Sequence, residues 1–419
     1  MTNFYRVSTA NMYDSTLRNL GARQKTLVDL QENLTSGKRV VRASDDPVAA
    51  AQAERALTRI SRIQTEQRAL DVQRNAIAQA ESTLGDAVGL VQEIRQLVVA
   101  AGGGALKPED RKTYASQIQS LQDQLNQVIN RKDTNGIPLL GALGSALEPF
   151  TGPLSGNPNY LFSGLPGQGS SSGTSITTTL DGHSALMFDP RRDGVYQAGV
   201  STIPTDRKLT TSAITPSNLS QITGDSYRID FTAVGPGATP GTLSATYTIT
   251  NTSITPTPTP VTVTAPDFDP DKGGTISVTG VPGLSFSISG KPAVGDAITL
   301  QPSPSLMSSL DSAIKGIGGA ANNNAATQAV GQALASIDAG MERLHNMRGY
   351  AGELLNRADR ISGDQTNRSI QLEGDRSRAE DLDMVKGISD FQNANVGYEA
   401  ALKSYAQVQR LSLFNYING

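Results

Sequence analysis

Apolar residues recur at alternating four- and three-residue steps at both ends of this 419-residue chain. Near the start, Tyr13, Leu17, Leu20, Gln24, Leu27, Gln31 and Leu34 keep that rhythm. It predicts a helix with a narrow apolar seam, interrupted by two glutamines. Gly37 supplies a stop. A second pattern opens at Pro47 and runs through Leu57, Ile60, Ile63, Leu70, Ile77, Leu84, Val88, Val91 and Val98 to Gly102, Gly103 and Gly104. A helix of that extent spans roughly 80 Å at about 1.5 Å per residue. A third carries Tyr114, Ile118, Leu121, Leu125 and Val128. Toward the other end, Val330, Leu334, Ile337, Met341, Leu344, Arg348, Ala351, Leu355 and Ala358 step without a slip. Ile388, Phe391, Asn395, Tyr398, Leu402 and Tyr405 follow, then Leu411, Leu413 and Phe414. Narrow-seamed helices are unstable alone in water and must pair. Each N-terminal run therefore finds its partner in a C-terminal run, along a rod with the middle looped out.

The middle obeys a different rhythm. Of 21 prolines, all but Pro47 and Pro108 lie between Pro138 and Pro304. Those two suit the first turn of a helix: Pro47 follows Asp46, a good N-cap, and Pro108 precedes Glu109 and Asp110. Between 151 and 305, 82 of 155 residues are Ser, Thr, Pro or Gly. Alternation at 227–231, 246–250, 261–264, 275–278 and 284–288 predicts half-buried strands, with Thr255 to Pro260 as a stiff connector. The expected fold is mainly α with an inserted β domain. Its three parts are 1–42 with 380–419, 43–165 with 306–379, and a β-rich outer part at 166–305. The interruptions between the first two fall at Ser36–Ser44 and in the polar stretch Ser362–Arg378.

Composition narrows the chemistry. With no Cys there are no disulfides, thiolate zinc sites or thiol nucleophiles. His183 and His345 are far apart and have no visible catalytic companions. Asp45 and Asp46, adjacent before a helix, read as caps, not as an acid–base pair. Gly102–Gly104 lacks the following Gly-Lys-Ser/Thr of a phosphate loop and reads as a helix break. Nothing supports an enzyme, a cofactor or a metal. The net charge of −3 leaves no segment basic enough for nucleic acid. The N-terminus has no secretory apolar run and no stretch approaches the roughly 20 residues of a membrane span. The positive signal is assembly: thin-seamed ends, rich in Gln, Asn and small residues, suit interfaces completed only between chains.

One segment carries a resemblance. Leu34-Thr-Ser-Gly-Lys-Arg-Val-Val-Arg-Ala-Ser-Asp-Asp-Pro-Val-Ala-Ala50 is similar to the stretch after the first helix in the hook-associated protein 3 family, flagellin-like proteins of the bacterial hook–filament junction. Arg42-Ala43 stands where that family has Asn-Pro. Leu411-Ser-Leu-Phe414, Thr134-Asn-Gly136 with Tyr160-Leu-Phe-Ser-Gly164, and Arg348, Gly352, Leu355 and Asn356 also resemble its pattern, although the insertion between Gly136 and Tyr160 is longer. The match covers both arms, roughly 60 per cent of the chain; the middle is not recognisable.

The resemblance implies a flagellin-like rod of paired terminal helices. It implies a non-catalytic subunit of a homo-oligomeric ring between hook-associated protein 1 and flagellin. Export would be unfolded, through the flagellar type III channel, with a chaperone on the last helix. The extracellular junction would be its place. The ends, disordered in the monomer, would order on assembly through Leu17, Leu20, Leu27, Leu34, Ile388, Phe391, Tyr398, Leu402, Tyr405, Leu411, Leu413 and Phe414. Gly37, Asp45, Asp46 and Pro47 would form the intervening turn and cap. Flagellin itself is the alternative, and a coiled-coil-stalked adhesin or effector a more distant one.

Overall fold

A computed structural model describes residues 9–104, 106–156, 158–202 and 208–417, with side chains described for 14–407 and 409 where the backbone is. Two compact units emerge: residues 1–68 with 362–419, and residues 69–361. Helices α1 (Thr9–Ser36) and α8 (Met384–Ile417) belong to the first. Helices α2 (Pro47–Ala101) and α7 (Asn323–Glu380) contribute residues to both. The second adds α3 (Pro108–Ile129), the short α4 (Gly182–Leu186) and α5 (Pro190–Asp193), α6 (Leu306–Gly318) and all eleven strands among the described residues.

In the first unit, α1 packs along α8, and the initial stretch of α2 meets the final stretch of α7. Ile60 and Ile63 pack on Leu372, while Ala49 and Ala53 pack on Ala379 with Val40. The polar stretch Ser362–Arg378 does not interrupt the chain, contrary to the sequence reading. It lies inside α7, and the turn comes only at Asp381–Asp383. The reason is helix-forming side chains: Arg376 pairs with Glu373 and Glu380 at helical spacing, and Leu372 and Ala379 are buried beneath them.

In the second unit, α2 and α7 run antiparallel, joined by Arg74–Asp359 at 3.0 Å, Glu81–Arg348 at 2.6 Å and Arg95–Asp338 at 2.8 Å. Between these ion pairs lies the helical core, with Ile77, Leu84, Val91 and Val98 from α2 and Ile337, Leu344, Ala351 and Ala358 from α7. Helices α3 and α6 close it, burying Ile118, Leu125 and Ile129 with Leu306, Leu310 and Ile317. Buried Arg111 ties the connection before α3 to the start of α7, donating to the Leu106 carbonyl at 3.1 Å and to Asn323 Oδ1 at 2.7 Å.

The strands begin with a two-residue hairpin, β1 (Phe150–Thr151) on β2 (Leu161–Phe162). Strands β3 (Tyr196–Ser201), β6 (Tyr227–Pro236), β7 (Leu243–Asn251), β8 (Val261–Thr264) and β11 (Ala297–Pro302) make an antiparallel sheet in the order β3-β11-β6-β7-β8. Strands β4 (Thr210–Thr211), β5 (Thr215–Pro216) and β9 (Thr275–Val278) all pair with β10 (Leu284–Ser289). Ile229, Phe231, Tyr247, Ile288, Ile298 and Leu300 fill a core that takes nothing from the helices. Residues 166–195, grouped with the β-rich middle by composition, pack instead on the helical core through Ile176, Leu180, Leu186, Phe188 and Val195. Backbone bonds from Leu180 to Leu139 and from Ala142 to Leu180 fasten them there.

Candidate assembly surface

The segment Gly37–Pro47 is built by main-chain pairing. Helix α1 ends at Ser36, and Gly37 takes φ +69°, a left-handed turn that costs a residue without Cβ little. The chain then lies against the end of α7: Arg39 and Val40 N–H both donate to the Glu380 carbonyl, at 2.7 and 3.3 Å, and Leu382 N–H donates to the Gly37 carbonyl at 2.9 Å. Lys38 forms an ion pair with Glu380. The Arg39 guanidinium donates to the Ala379 carbonyl at 2.8 Å and reaches Asp46 at 3.3 Å. Asp45 Oδ2 accepts from Arg42 N–H at 2.8 Å. Asp46 Oδ1 accepts from Val48 and Ala49 N–H at 3.2 and 3.0 Å, at the first turn of α2 opened by Pro47. The Ala49 N–H bond chiefly, with Arg39 assisting, holds the Asp46 carboxyl below the usual range. Glu380, Asp381 and Leu382 complete this clasp, and in sequence they carry only the signal of two acidic residues in the arm opposite Lys38 and Arg39.

Beyond the clasp, α1 and α8 meet through small and half-buried residues. Those of α1 are Thr16, Leu20, Leu27, Leu30 and Leu34; those of α8 are Phe391, Ala394, Tyr398, Ala401 and Tyr405. Gly387 admits Leu34, and Gly397 admits the Arg23 guanidinium; a Cβ at either would lie too close, at 3.2 and 2.7 Å. The seam is offset from the apolar rhythm of the sequence: Leu17, Ile388 and Leu402 point outward, 41, 46 and 40 % exposed. Val28, Met384, Val385 and Val396 are exposed as well. Among the described side chains of the two helices, no residue larger than glycine is fully buried. The side chains of Leu411, Leu413 and Phe414 lie outside the described residues. Among its described residues this surface offers mainly aliphatic side chains. His345 is exposed on α7, and His183 packs edge-on against Phe162 at 5.6 Å. Among the described residues no group of three His, Cys, Asp or Glu is placed to hold a metal ion, and no helix is long and apolar enough to cross a membrane.

Residues 7–144 match the bacterial flagellin N-terminal helical region. That stretch, about a third of the chain, is similar to flagellin in sequence. The chain aligns with flagellar hook-associated protein 3 of Salmonella typhimurium at 31 % identity over 147 residues, 35 % of this chain and 46 % of that protein. With the Listeria monocytogenes flagellin it is 29 % identical over 124 residues, 29 % of this chain and 43 % of that one. The chain thus spans about half the length of the curated relatives it matches. Its fold is that of the crystal structure of hook-associated protein 3 from Legionella pneumophila, at TM-score 0.61 and 23 % identity, over 77 % of this chain and 97 % of that one. Xanthomonas campestris FlgL gives TM-score 0.59 at 21 % identity, over 78 % and 99 %. Long N- and C-terminal helices with a β-rich middle are therefore the flagellin-like architecture, shared here in three dimensions.

Proposed function

We propose that this chain is a structural subunit of the bacterial flagellum, acting at the hook–filament junction. The observation that carries this reading is the alignment with hook-associated protein 3, supported by a fold covering nearly the whole of solved proteins of that kind. Copies would form a ring that meets hook-associated protein 1 on one side and flagellin on the other. The work is done by the α1/α8 surface, where exposed aliphatic side chains lose water only when a neighbouring subunit covers them. The terminal helices, disordered in the free subunit, would leave the cell unfolded through the flagellar type III channel, with an export chaperone on α8, and order in the assembly. No catalysis enters this function.

The similarity to flagellins favours a second reading, a filament subunit. Electron microscopy of a deletion strain separates them. A junction subunit leaves hooks without filaments and flagellin shed into the medium. A filament subunit leaves no shed flagellin, and the intact organelle carries it in large copy number. Filaments still attached and rotating would sink both readings in favour of a surface adhesin or effector.

A further inference from the structure

We infer that Gln328 and Gln332 of α7 form a latch that holds the β-rich body, residues 196–302, against the helices and lets it come away as a unit. The proposal goes beyond the assembly reading and does not depend on it. Strand β3 is one edge of the five-stranded sheet, and a sheet edge presents unpaired N–H and C=O groups. Here two glutamine side chains, one helical turn apart, take the place of a sixth strand. Gln332 Oε1 accepts from Ala198 N–H at 3.4 Å. The Ala198 carbonyl accepts from Gln328 Nε2 at 3.1 Å and Gln332 Nε2 at 3.2 Å. The same pair reaches the second sheet: Thr211 N–H donates to Gln328 Oε1 at 3.1 Å, and Gln332 Nε2 donates to Thr211 Oγ1 at 3.2 Å.

What surrounds the latch decides its character. The β core draws no side chain from any helix, and the helical core draws none from 196–302. Beside the glutamines runs an open groove lined by polar Gln197, Gln301 and Ser312, which water satisfies as well as protein does, and by apolar Val200, Leu209 and Ala329. The chain enters and leaves the body on adjacent strands: Tyr196 of β3 pairs with Pro302 of β11, and Ser303 N–H donates to the Val195 carbonyl at 2.9 Å. Two neighbouring strands, with the Arg191 Nε donating to the Thr223 carbonyl at 3.1 Å beside them, make a narrow hinge on one side, and the neutral glutamine hydrogen bonds, each of small net worth, make a reversible fastening on the other.

The test uses the full chain with Gln328→Ala and Gln332→Ala together, read by amide hydrogen exchange. Ala198 and Thr211 amides should exchange about tenfold faster, as loss of the glutamine acceptor at one net hydrogen bond or more requires. Amides of Ile229, Tyr247 and Ile298 inside the β core, and those of α3, should not change. The chain has no cysteine, so spin labels at Lys112→Cys on α3 and Ile254→Cys beyond β7 report a single distance cleanly. That distance should be narrowly distributed with the glutamines and broad without them. Unchanged exchange at Ala198 and Thr211, or an unchanged distance distribution, overturns the latch. A double variant that fails to fold overturns it too, because the glutamines would then belong to a common core.

Discussion

Two helix pairs in this chain obey opposite rules. Helices α3 and α6 bury Ile118, Leu125, Leu306, Leu310 and Ile317 completely, and fix their register with Gln122, whose Nε2 donates to the Met307 carbonyl at 2.9 Å. Helices α1 and α8 bury no large side chain among those described, close on glycine and alanine, and leave aliphatic residues facing outward. Fully burying one aliphatic side chain is worth about 1.5–3 kcal/mol, so the first pair is held by its own contacts. The second has little to set against an ordering cost of about 1–2 kcal/mol per residue. A helix pair so equipped takes its stability from whatever covers it.

The sharpest way to break this contrast is a charge on each side. Leu310→Asp places an unpaired carboxylate in a closed core and should cost more than about 4 kcal/mol, unfolding residues 69–361 in thermal or denaturant melts. Leu402→Lys should leave the melt of the isolated chain within about 0.5 kcal/mol yet abolish filament attachment in the cell. Normal motility with the Leu402→Lys protein in place would remove α8 from the interface.

Proteolysis sharpens the same contrast. In a verified monomer, trypsin should cut at Arg18 and Arg23 well before Arg111, which is buried and held at both ends of its guanidinium, by Asn323 at Nη1 and by the Ala320 carbonyl at Nη2. Equal resistance at all three would show α1/α8 to be self-sufficient. A smaller effect is expected at the clasp. Arg39→Ala removes the bond to the Ala379 carbonyl and the contact with Asp46, costing about 1 kcal/mol. It should raise amide exchange at Val40 and Leu382 and leave α3 untouched.

The smallest effect is acid on the α2 cap. Because the Asp46 carboxyl sits below its usual range when folded, its contribution is present above pH about 4 and fades as pH falls through the folded value. Relative to the intrinsic rate, Val48 and Ala49 amides should therefore exchange faster once the pH is brought well below about 4 than at pH 6. Protection that does not change across that interval would show that the carboxylate is not the cap.

The extent of α2 was legible because its ends are punctuated by Asp46-Pro47 and by three glycines, local signals with local causes. Strands β6, β7, β9 and β10 were legible because one face of each is buried, so apolar and polar residues alternate, whereas β8 alternates Val with Thr without burying either face. The phase of the α1/α8 seam was not, since Thr16, Gly387, Ala394 and Ala401 occupy it and carry no apolar signal. Leu17 and Leu402, which do, face away. Helix α6 escaped notice because Ser303, Ser305, Ser308 and Ser309 make its entry look like loop, although Ser305 caps it and Ser303 bonds Ser309 at 2.7 Å. Residues 166–195 were misplaced for a related reason. Composition describes a segment, whereas Ile176, Leu180 and Phe188 are placed by what they meet.

The edge of the large sheet opposite β3 has consequences for life in a crowded array. Strand β8 is four residues long, and Pro256, Pro258 and Pro260 precede it while Pro266 follows. A foreign strand that found this edge could zip along it for only a few residues before meeting backbone with no N–H to offer. Copies of this chain at high concentration would thus expose a sheet edge without seeding a fibril.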